Sequence, residues 1–362
     1  MAGGPVRVLI VDDTPLFARL LAAELERCGG LHAHASGGDV AEVREQLIQY
    51  HPDVIVLDLA LRKVNALDLL RKLRSHYPVP VIVTAGSGDE NARRAIDATR
   101  RGALEAVPKP EHIRPTVLRS FALDLAGKIR MAACIARPVA SPVATAATPT
   151  SFHAAGLVPG RYLVALGAST GGTKAIETLL RRAPADFPPV VIVQHMPAGF
   201  TRSFAARLNS LSPLAVSEAA DGELLMPGRA VIARGDTQLI VRAGGPGWRA
   251  QYTNQAPVNR HCPSVDVLFN SVAAAAGPRA IGVLLTGMGE DGAHGLLNLR
   301  QAGALTIAQD RASCVVYGMP KVAVDLGAAL FSAAPEDVPA LTLRALLERD
   351  GARDGVSAHR PG

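Results

Sequence analysis

The feature that most constrains this chain is an alternation, repeated in two blocks, of short β-branched apolar runs with amphipathic stretches of helical period. The first block reads "VRVLIV", "LFARLLAAELERC", "VIVLD", "ALDLLRKLRSH", "PVIVTA" and "NARRAIDATRRG". The second reads "RYLVALGAS", "KAIETLLRRA", "PVVIVQH", "SFAARLNSL", "AVIAR", "VDVLFNSVAAAA", "IGVLLTGM" and "ALTIAQD". Strands alternating with helices pair in parallel, because a crossover helix carries the chain back to the starting edge of the sheet. The expected fold is α/β: two doubly wound domains with mainly parallel sheets. Between the blocks, "ARPVASPVATAATPTS" contains only Pro, Ala, Ser, Thr, Val and one Arg, and reads as a flexible linker. The expected boundaries are a first domain at 5–125, a linker at 126–159, a second domain at 160–348 and a polar, aperiodic, disordered tail at 349–362.

Composition narrows the function classes. Hydrophobic residues make up 48% and charged residues 19% of 362 positions, which suits two packed cores. Lys+Arg 38 against Asp+Glu 32 is a small excess spread along the chain, so no nucleic-acid partner is expected. Cys28, Cys134, Cys262 and Cys314 are far apart with no C-x-x-C pair, which argues against a zinc ribbon or disulfide framework and for a reducing cytoplasm. "VRVLIV" is too short for a signal peptide and ends in acids, and no run approaches the ~20 apolar residues that cross a bilayer. A cytoplasmic protein without membrane insertion is expected.

In an open α/β sheet, chemistry gathers beyond the carboxyl ends of the strands. In the first block the residues at those ends are Asp12 and Asp13, Asp58, Thr84 and Lys109. Crowded carboxylates repel unless a cation is present, and hard oxygen ligands suit Mg²⁺, which neutralises an incoming phosphoryl group. Asp58, alone at its strand end, is the best placed nucleophile for an aspartyl phosphate. Lys109 would pair with the phosphoryl oxygens and Thr84 would hydrogen-bond them. Taken singly, any of these acids could instead cap a helix.

The set resembles the receiver domain of bacterial response regulators. That resemblance implies Asp12 and Asp13, with Asp58, for Mg²⁺, Asp58 as the phospho-acceptor, Thr84 as the switch hydroxyl and Lys109 as the phosphate-pairing lysine. Receivers usually follow the acceptor with a Met-Pro-x-Met-Asp-Gly type loop. Here "LALRKVNALD" puts Arg62 at the usual proline and Ala66 at the usual glycine.

The strand-end rule selects Ser169, His195 and Asp291 in the second block. A serine hydroxyl needs an imidazole to accept its proton, and the imidazole needs a carboxylate to fix its tautomer. "GASTGGTKAIETLL" places Ser169 at a strand-to-helix turn, where amides at the helix start can face an oxyanion. Thr170 and, in "TGMGEDGAHG", Met288 are the oxyanion or turn candidates. Alone, Ser-Thr-Gly-Gly is more often a helix cap or phosphate-binding turn, His195 a buried core histidine, and Asp291 a turn residue. His294 is a rival imidazole but does not directly follow a strand. The Ser-Thr-Gly-Gly turn is not G-x-G-x-x-G, and no acidic residue follows a next strand about 20 residues on, which disfavours a dinucleotide site there.

"GASTGG", "QHMP", "HCPSVDVLF" and "LLTGMGEDGA" resemble, in this order, the catalytic domain of the chemotaxis protein-glutamate methylesterases, over about 160–348. The resemblance implies a flavodoxin-like receiver before a Rossmann-like esterase, with Ser169 as nucleophile, His195 as base and acid, and Asp291 as orienting carboxylate. It further implies hydrolysis of glutamate methyl esters on methylated chemoreceptors, glutamine deamidation as a second reaction, and phosphorylation from a chemotaxis histidine kinase. Mg²⁺ is expected in the receiver and no cofactor in the esterase. Arg234 and Gln238 stand where the family usually has proline and histidine, a change expected to alter the rim of the site or the substrate preference. The rival readings are a regulator whose second domain binds without catalysis, and a phosphatase of the haloacid dehalogenase type. The second is disfavoured because Asp12 and Asp13 are adjacent instead of forming D-x-D.

Overall fold

The computed structural model describes residues 4–77, 79–135, 157–245 and 247–357. They form two compact units divided near residue 140. In the first, β1 (Val6–Val11), β2 (Leu31–Ser36), β3 (Val54–Asp58), β4 (Val81–Ala85) and β5 (Glu105–Pro108) form a parallel sheet in the order β2-β1-β3-β4-β5. This is the flavodoxin-like order, with its switch point between β1 and β3. Its helices are α1 (Pro15–Arg27), α2 (Val40–Tyr50), α3 (Ala66–His76), α4 (Asp89–Arg100) and α5 (Pro115–Ile135). Pro15 opens α1, where a missing N–H costs nothing, and the Asp39 and Asn65 side chains cap α2 and α3. Edge strand β2, "LHAHAS", has no apolar run and exposes His32 and His34, which is why sequence alone passed over it.

Helix α5 runs ten residues beyond the boundary expected at 125. The reason is packing: Ala126, Ile129 and Ala132 are buried with Phe17, Leu21 and Leu25 in the core of this unit. Residues 136–156 of the expected linker lie outside the described residues.

The second unit has a seven-stranded parallel sheet. Its strands are β6 (Leu163–Ala168), β7 (Val190–Gln194), β8 (Ala215–Glu218), β9 (Arg229–Ile232), β12 (Ala280–Leu284), β13 (Leu305–Gln309) and β14 (Phe331–Ala333), in the order β14-β13-β12-β6-β7-β9-β8. Helices α6 (Gly172–Arg182), α7 (Phe200–Asn209), α8 (Val265–Ala276), α9 (Ala293–Gln301), α10 (Met319–Asp325) and α11 (Val338–Ser357) connect or cover them. With both faces covered, β6, β7, β12 and β13 are buried along their whole length.

One departure from the expected parallel pattern is an antiparallel hairpin, β10 (Gln238–Gly244) and β11 (Gly247–Thr253). Its Trp248 indole donates to the Ala275 carbonyl at 3.2 Å, and the Ser271 hydroxyl accepts from the Val241 amide at 2.9 Å, which seats the hairpin on α8. The chain's last described helix also departs from expectation. α11 continues to Ser357, through the first part of the segment expected to be a tail. Asp350 anchors the beginning of that stretch, because it accepts a hydrogen bond from the buried Tyr162 hydroxyl and pairs with Arg161 at 3.3 Å. Among the described residues no helix is long and apolar enough to cross a membrane.

Candidate active site

The site of the second unit lies where the strand order reverses, between β6 and β12. Ser169 directly follows β6, its amide donating to the Thr286 carbonyl at 3.0 Å and its carbonyl accepting from the Gly172 amide at 2.8 Å. The loop after β12 presses on it: a Cβ at Gly287 would lie 2.7 Å from the Ser169 Cβ and 2.1 Å from the Met319 sulfur. Only glycine allows that approach. Thr170 is buried, and its carbonyl accepts from the Thr286 hydroxyl at 3.0 Å. Met288, next to Gly287 on the same loop, keeps 44% of its surface exposed.

Strand register sets the Ser169 and His195 strand ends side by side. Ala168 pairs with Gln194, so Ser169 and His195 are the next residues on adjacent parallel strands, and the His195 amide donates to the Ala168 carbonyl at 3.0 Å. Nε2 of His195 lies 2.7 Å from Oδ2 of Asp291. Nδ1, the other ring nitrogen, is buried with no hydrogen-bond partner among the described residues. An imidazole held by a carboxylate on one nitrogen and free on the other is arranged to take up a proton there. His294 is exposed on α9, and it is His195 that meets Asp291.

Asp291 is 1% exposed. Besides His195 it accepts from the Val265 amide at 2.7 Å, the Ser264 hydroxyl at 2.7 Å and the Asn259 side-chain amide at 3.0 Å. Val265 and Ser264 are the first residue and cap of α8, so the carboxylate sits at a helix N-terminus. Burial pushes Asp291 up, but the His195 hydrogen bond and charge, with Ser264 and Val265, outweigh it and hold the acid far below the usual carboxylate range.

Two residues of this site were not read from sequence, and a third lies elsewhere than expected. The His261 ring stacks on His195 with centroids 3.7 Å apart and planes 11° apart. Asn259 donates to both Asp291 and Asp266, the latter at 2.8 Å, and so separates two buried acids. Both belong to a tight turn closed by the Val258 and His261 backbones, in which Asn259 and Arg260 have φ of 52° and 65°. Two non-glycine residues in the left-handed region are costly, and such strain gathers at functional sites. Gln238 is the third. It is fully buried, accepts from the Ser264 amide at 2.8 Å and donates to the carbonyls of Ala256 and His261. Expected at the rim, it instead braces the turn from beneath. Arg234 is exposed, with its guanidinium 5.1 Å over the Tyr252 ring.

In the first unit the strand ends gather a second polar pocket. Asp58 and Thr84 are in register across β3 and β4, and both are buried. The Lys109 ammonium lies 2.6 Å from Asp12 and 2.6 Å from Asp58, over the Phe17 ring at 4.4 Å. Burial pushes Asp12 above the usual carboxylate range, aided by the Asp58 charge and opposed by Lys109 and the Thr14 amide. Burial also works against the Lys109 charge, but its two acids outweigh this and raise it.

Asp13 does not join them. Its Oδ1 accepts from the Gly38 amide at 2.9 Å and its Oδ2 from the Arg62 amide at 2.5 Å. Burial pushes it up slightly, but those bonds, with the amide and charge of Lys63, overcome this and hold it below the usual range. The expected Mg²⁺ set of Asp12, Asp13 and Asp58 therefore fits only in part. Asp12 and Asp58 converge on one cationic group, whereas among the described residues no three His, Cys, Asp or Glu side chains are grouped so as to hold a metal ion.

Two family models match the chain: CheB methylesterase over residues 164–342 and response regulator receiver domain over residues 8–119. A protein-glutamate methylesterase/protein-glutamine glutaminase of Salmonella typhi is 43% identical over 326 residues, which is 89% of this chain and 91% of that protein. The protein of the same name from Methylobacillus flagellatus is 41% identical, covering 96% of this chain and 98% of its own. Among solved structures, the Thermotoga maritima CheB methylesterase catalytic domain matches with a TM-score of 0.50 and 37% identity, covering 51% of this chain and 98% of that one.

Proposed function

The chain belongs to the family of protein-glutamate methylesterases/protein-glutamine glutaminases, and from that premise we propose that Ser169, His195 and Asp291 carry out its hydrolysis. The substrates are glutamate methyl esters, and glutamine side chains, on methylated chemoreceptors. One observation supports this reading above the others: His195, which follows the strand neighbouring that of Ser169, is bound to Asp291 through Nε2 while its buried Nδ1 lacks a partner among the described residues. Ser169 attacks the ester carbonyl as His195 takes the hydroxyl proton at Nδ1. The tetrahedral oxyanion faces backbone amides at Thr170 and Met288. Its collapse expels methanol, protonated by His195, and leaves an acyl-serine. Water, deprotonated by His195, then releases the glutamate carboxylate. A glutamine follows the same course with ammonia leaving. Proton relay of this kind needs no cofactor. Asp291 keeps the imidazole in its working tautomer and stabilises its charged form.

The receiver regulates this activity. Asp58 accepts a phosphoryl group from a chemotaxis histidine kinase, Lys109 pairs with the phosphoryl oxygens and Thr84 hydrogen-bonds them, and phosphorylation raises esterase activity. Receiver domains commonly bind Mg²⁺; here Asp12 and Asp58 are its available carboxylates, and Asp13 stands apart. The four cysteines are free thiols, in keeping with work in the reducing cytoplasm.

The deciding experiment measures methanol release from methylated receptor membranes by the intact chain, by Ser169→Ala and by a chain lacking residues 1–150. Ser169→Ala should bind membranes but release no methanol. Release that survives this change would leave a site of another kind. A small phosphodonor should stimulate the intact chain and leave Asp58→Asn unaffected; equal stimulation of both removes the receiver switch.

A further inference from the structure

The three acids of the receiver pocket divide into a pair and a single residue. Asp12 and Asp58 face Lys109, whereas both oxygens of Asp13 are taken up by backbone amides of other loops. The Gly38 bond ties the loop after β1 to the loop after β2, and the Arg62 bond ties it to the loop after β3. Gly38 packs so closely that a Cβ there would lie 2.3 Å from Asp13 Oδ1. A carboxylate in this position must give up amide bonds before it can turn to a divalent cation beside Asp12 and Asp58.

The amide of Arg62 is the unusual member of this clamp. Proline, the residue receivers usually carry at this place, has no N–H and cannot donate. We propose that the Arg62 backbone amide holds Asp13 out of the cation site, so that this receiver binds Mg²⁺ more weakly than the same chain with proline at 62. The inference rests on reading the pocket as a Mg²⁺-dependent phospho-acceptor, and it deepens that reading by naming the group that sets its cation affinity. The Arg62 side chain plays no part; any residue with an N–H would form the clamp.

Calorimetric titration of the full chain with MgCl₂ tests this without reference to activity. Arg62→Pro should bind Mg²⁺ about fivefold or more tightly than the parent, since a charge-assisted bond no longer competes. Arg62→Ala keeps the N–H and should match the parent within about twofold. Asp13→Asn should alter parental binding by less than about twofold, yet abolish the gain in the Arg62→Pro background, which is the coupling expected of residues that interact. Unchanged affinity in Arg62→Pro, or an equal gain in Arg62→Ala, overturns the proposal. If a thermal melt shows that Arg62→Pro does not fold, the parent and Asp13→Asn decide: a loss beyond about tenfold means Asp13 is already a ligand and the clamp is absent. Equal binding by all variants removes the clamp but leaves the pocket as a cation site. No binding by any of them removes both.

Discussion

The receiver pocket and the esterase site bury carboxylates at the same kind of topological position and reach opposite electrostatic outcomes. In both, burial pushes the acid up. Asp291 nonetheless lies far below the usual range because His195, Ser264 and the Val265 amide donate to it. Asp12 stays above it, because the one ammonium available is shared with Asp58, whose own charge adds to the effect of burial. Burial sets the direction by default, and the number of donors per negative charge can reverse it. A carboxylate rich in donors is a fixed orienting group. A pocket with more charge than donors is a place for incoming cations and phosphoryl groups.

The sharpest way to break this contrast is Asp291→Asn. Without the carboxylate the imidazole loses its tautomer, and ester hydrolysis should fall by about 10⁴-fold in methanol release. The same change should leave phosphoryl uptake at Asp58 untouched. Next in size is Asn259→Gly, which suits a backbone at φ 52° and removes a single donor from Asp291. It should lower kcat roughly 10–100-fold with KM little changed; an unaltered kcat would make Asn259 a turn residue only.

Stability should carry the same opposite signs. The depressed Asp291 contributes stability above its unfolded value of about 4, lost as pH falls through the folded one. Asp291→Asn should therefore destabilise by on the order of 2 kcal/mol at neutral pH in urea unfolding, and by progressively less below pH ~4. The raised Asp12 works the other way: its ionised form weighs on the fold at neutral pH and the load lifts as pH falls through its folded value. Asp12→Asn should stabilise at neutral pH, with the gain fading toward pH ~4. A common sign for the two variants would undo the contrast. The smallest effect concerns a thiol. Burial and the Asp310 charge push Cys314 up to about 12, so alkylation at mild alkaline pH should modify the exposed Cys134 and spare Cys314.

Residues that end an apolar run were legible, because a strand's last residue can be located from its pattern without knowing the loops. Ser169, His195, Asp58, Thr84 and Lys109 are of this kind. Asp291 lies in a glycine-rich loop but follows so soon after β12 that the same rule reached it. Asp13 shows where the rule stops: its neighbour Asp12 meets Lys109, while Asp13 turns to the amides of other loops, and adjacency in sequence does not say which way a carboxylate faces. Asn259, His261 and the buried placement of Gln238 were invisible for a related reason. Asn-Arg gives no glycine signal for a left-handed turn, and Gln238 opens a hairpin strand whose partners lie on another loop. The length of α5 was missed because Ala126 and Ala132 are small, so the buried stripe does not stand out as an apolar pattern.

The pairing of Tyr162 and Arg161 with Asp350 brings the start of β6 and the late part of α11 together. Tyr162 precedes β6 and Ser169 follows it, so this seam lies at the opposite end of the strand from the reacting hydroxyl, roughly 20 Å away. The start of β6 and the late part of α11 thus meet at one spot, remote from the chemistry. A circularly permuted version, with its old ends spliced by a short bridge near 161 and 350 and new ends opened in the Gly244–Gly247 bend, should keep every strand neighbour of the parallel sheet and its hydrolytic activity.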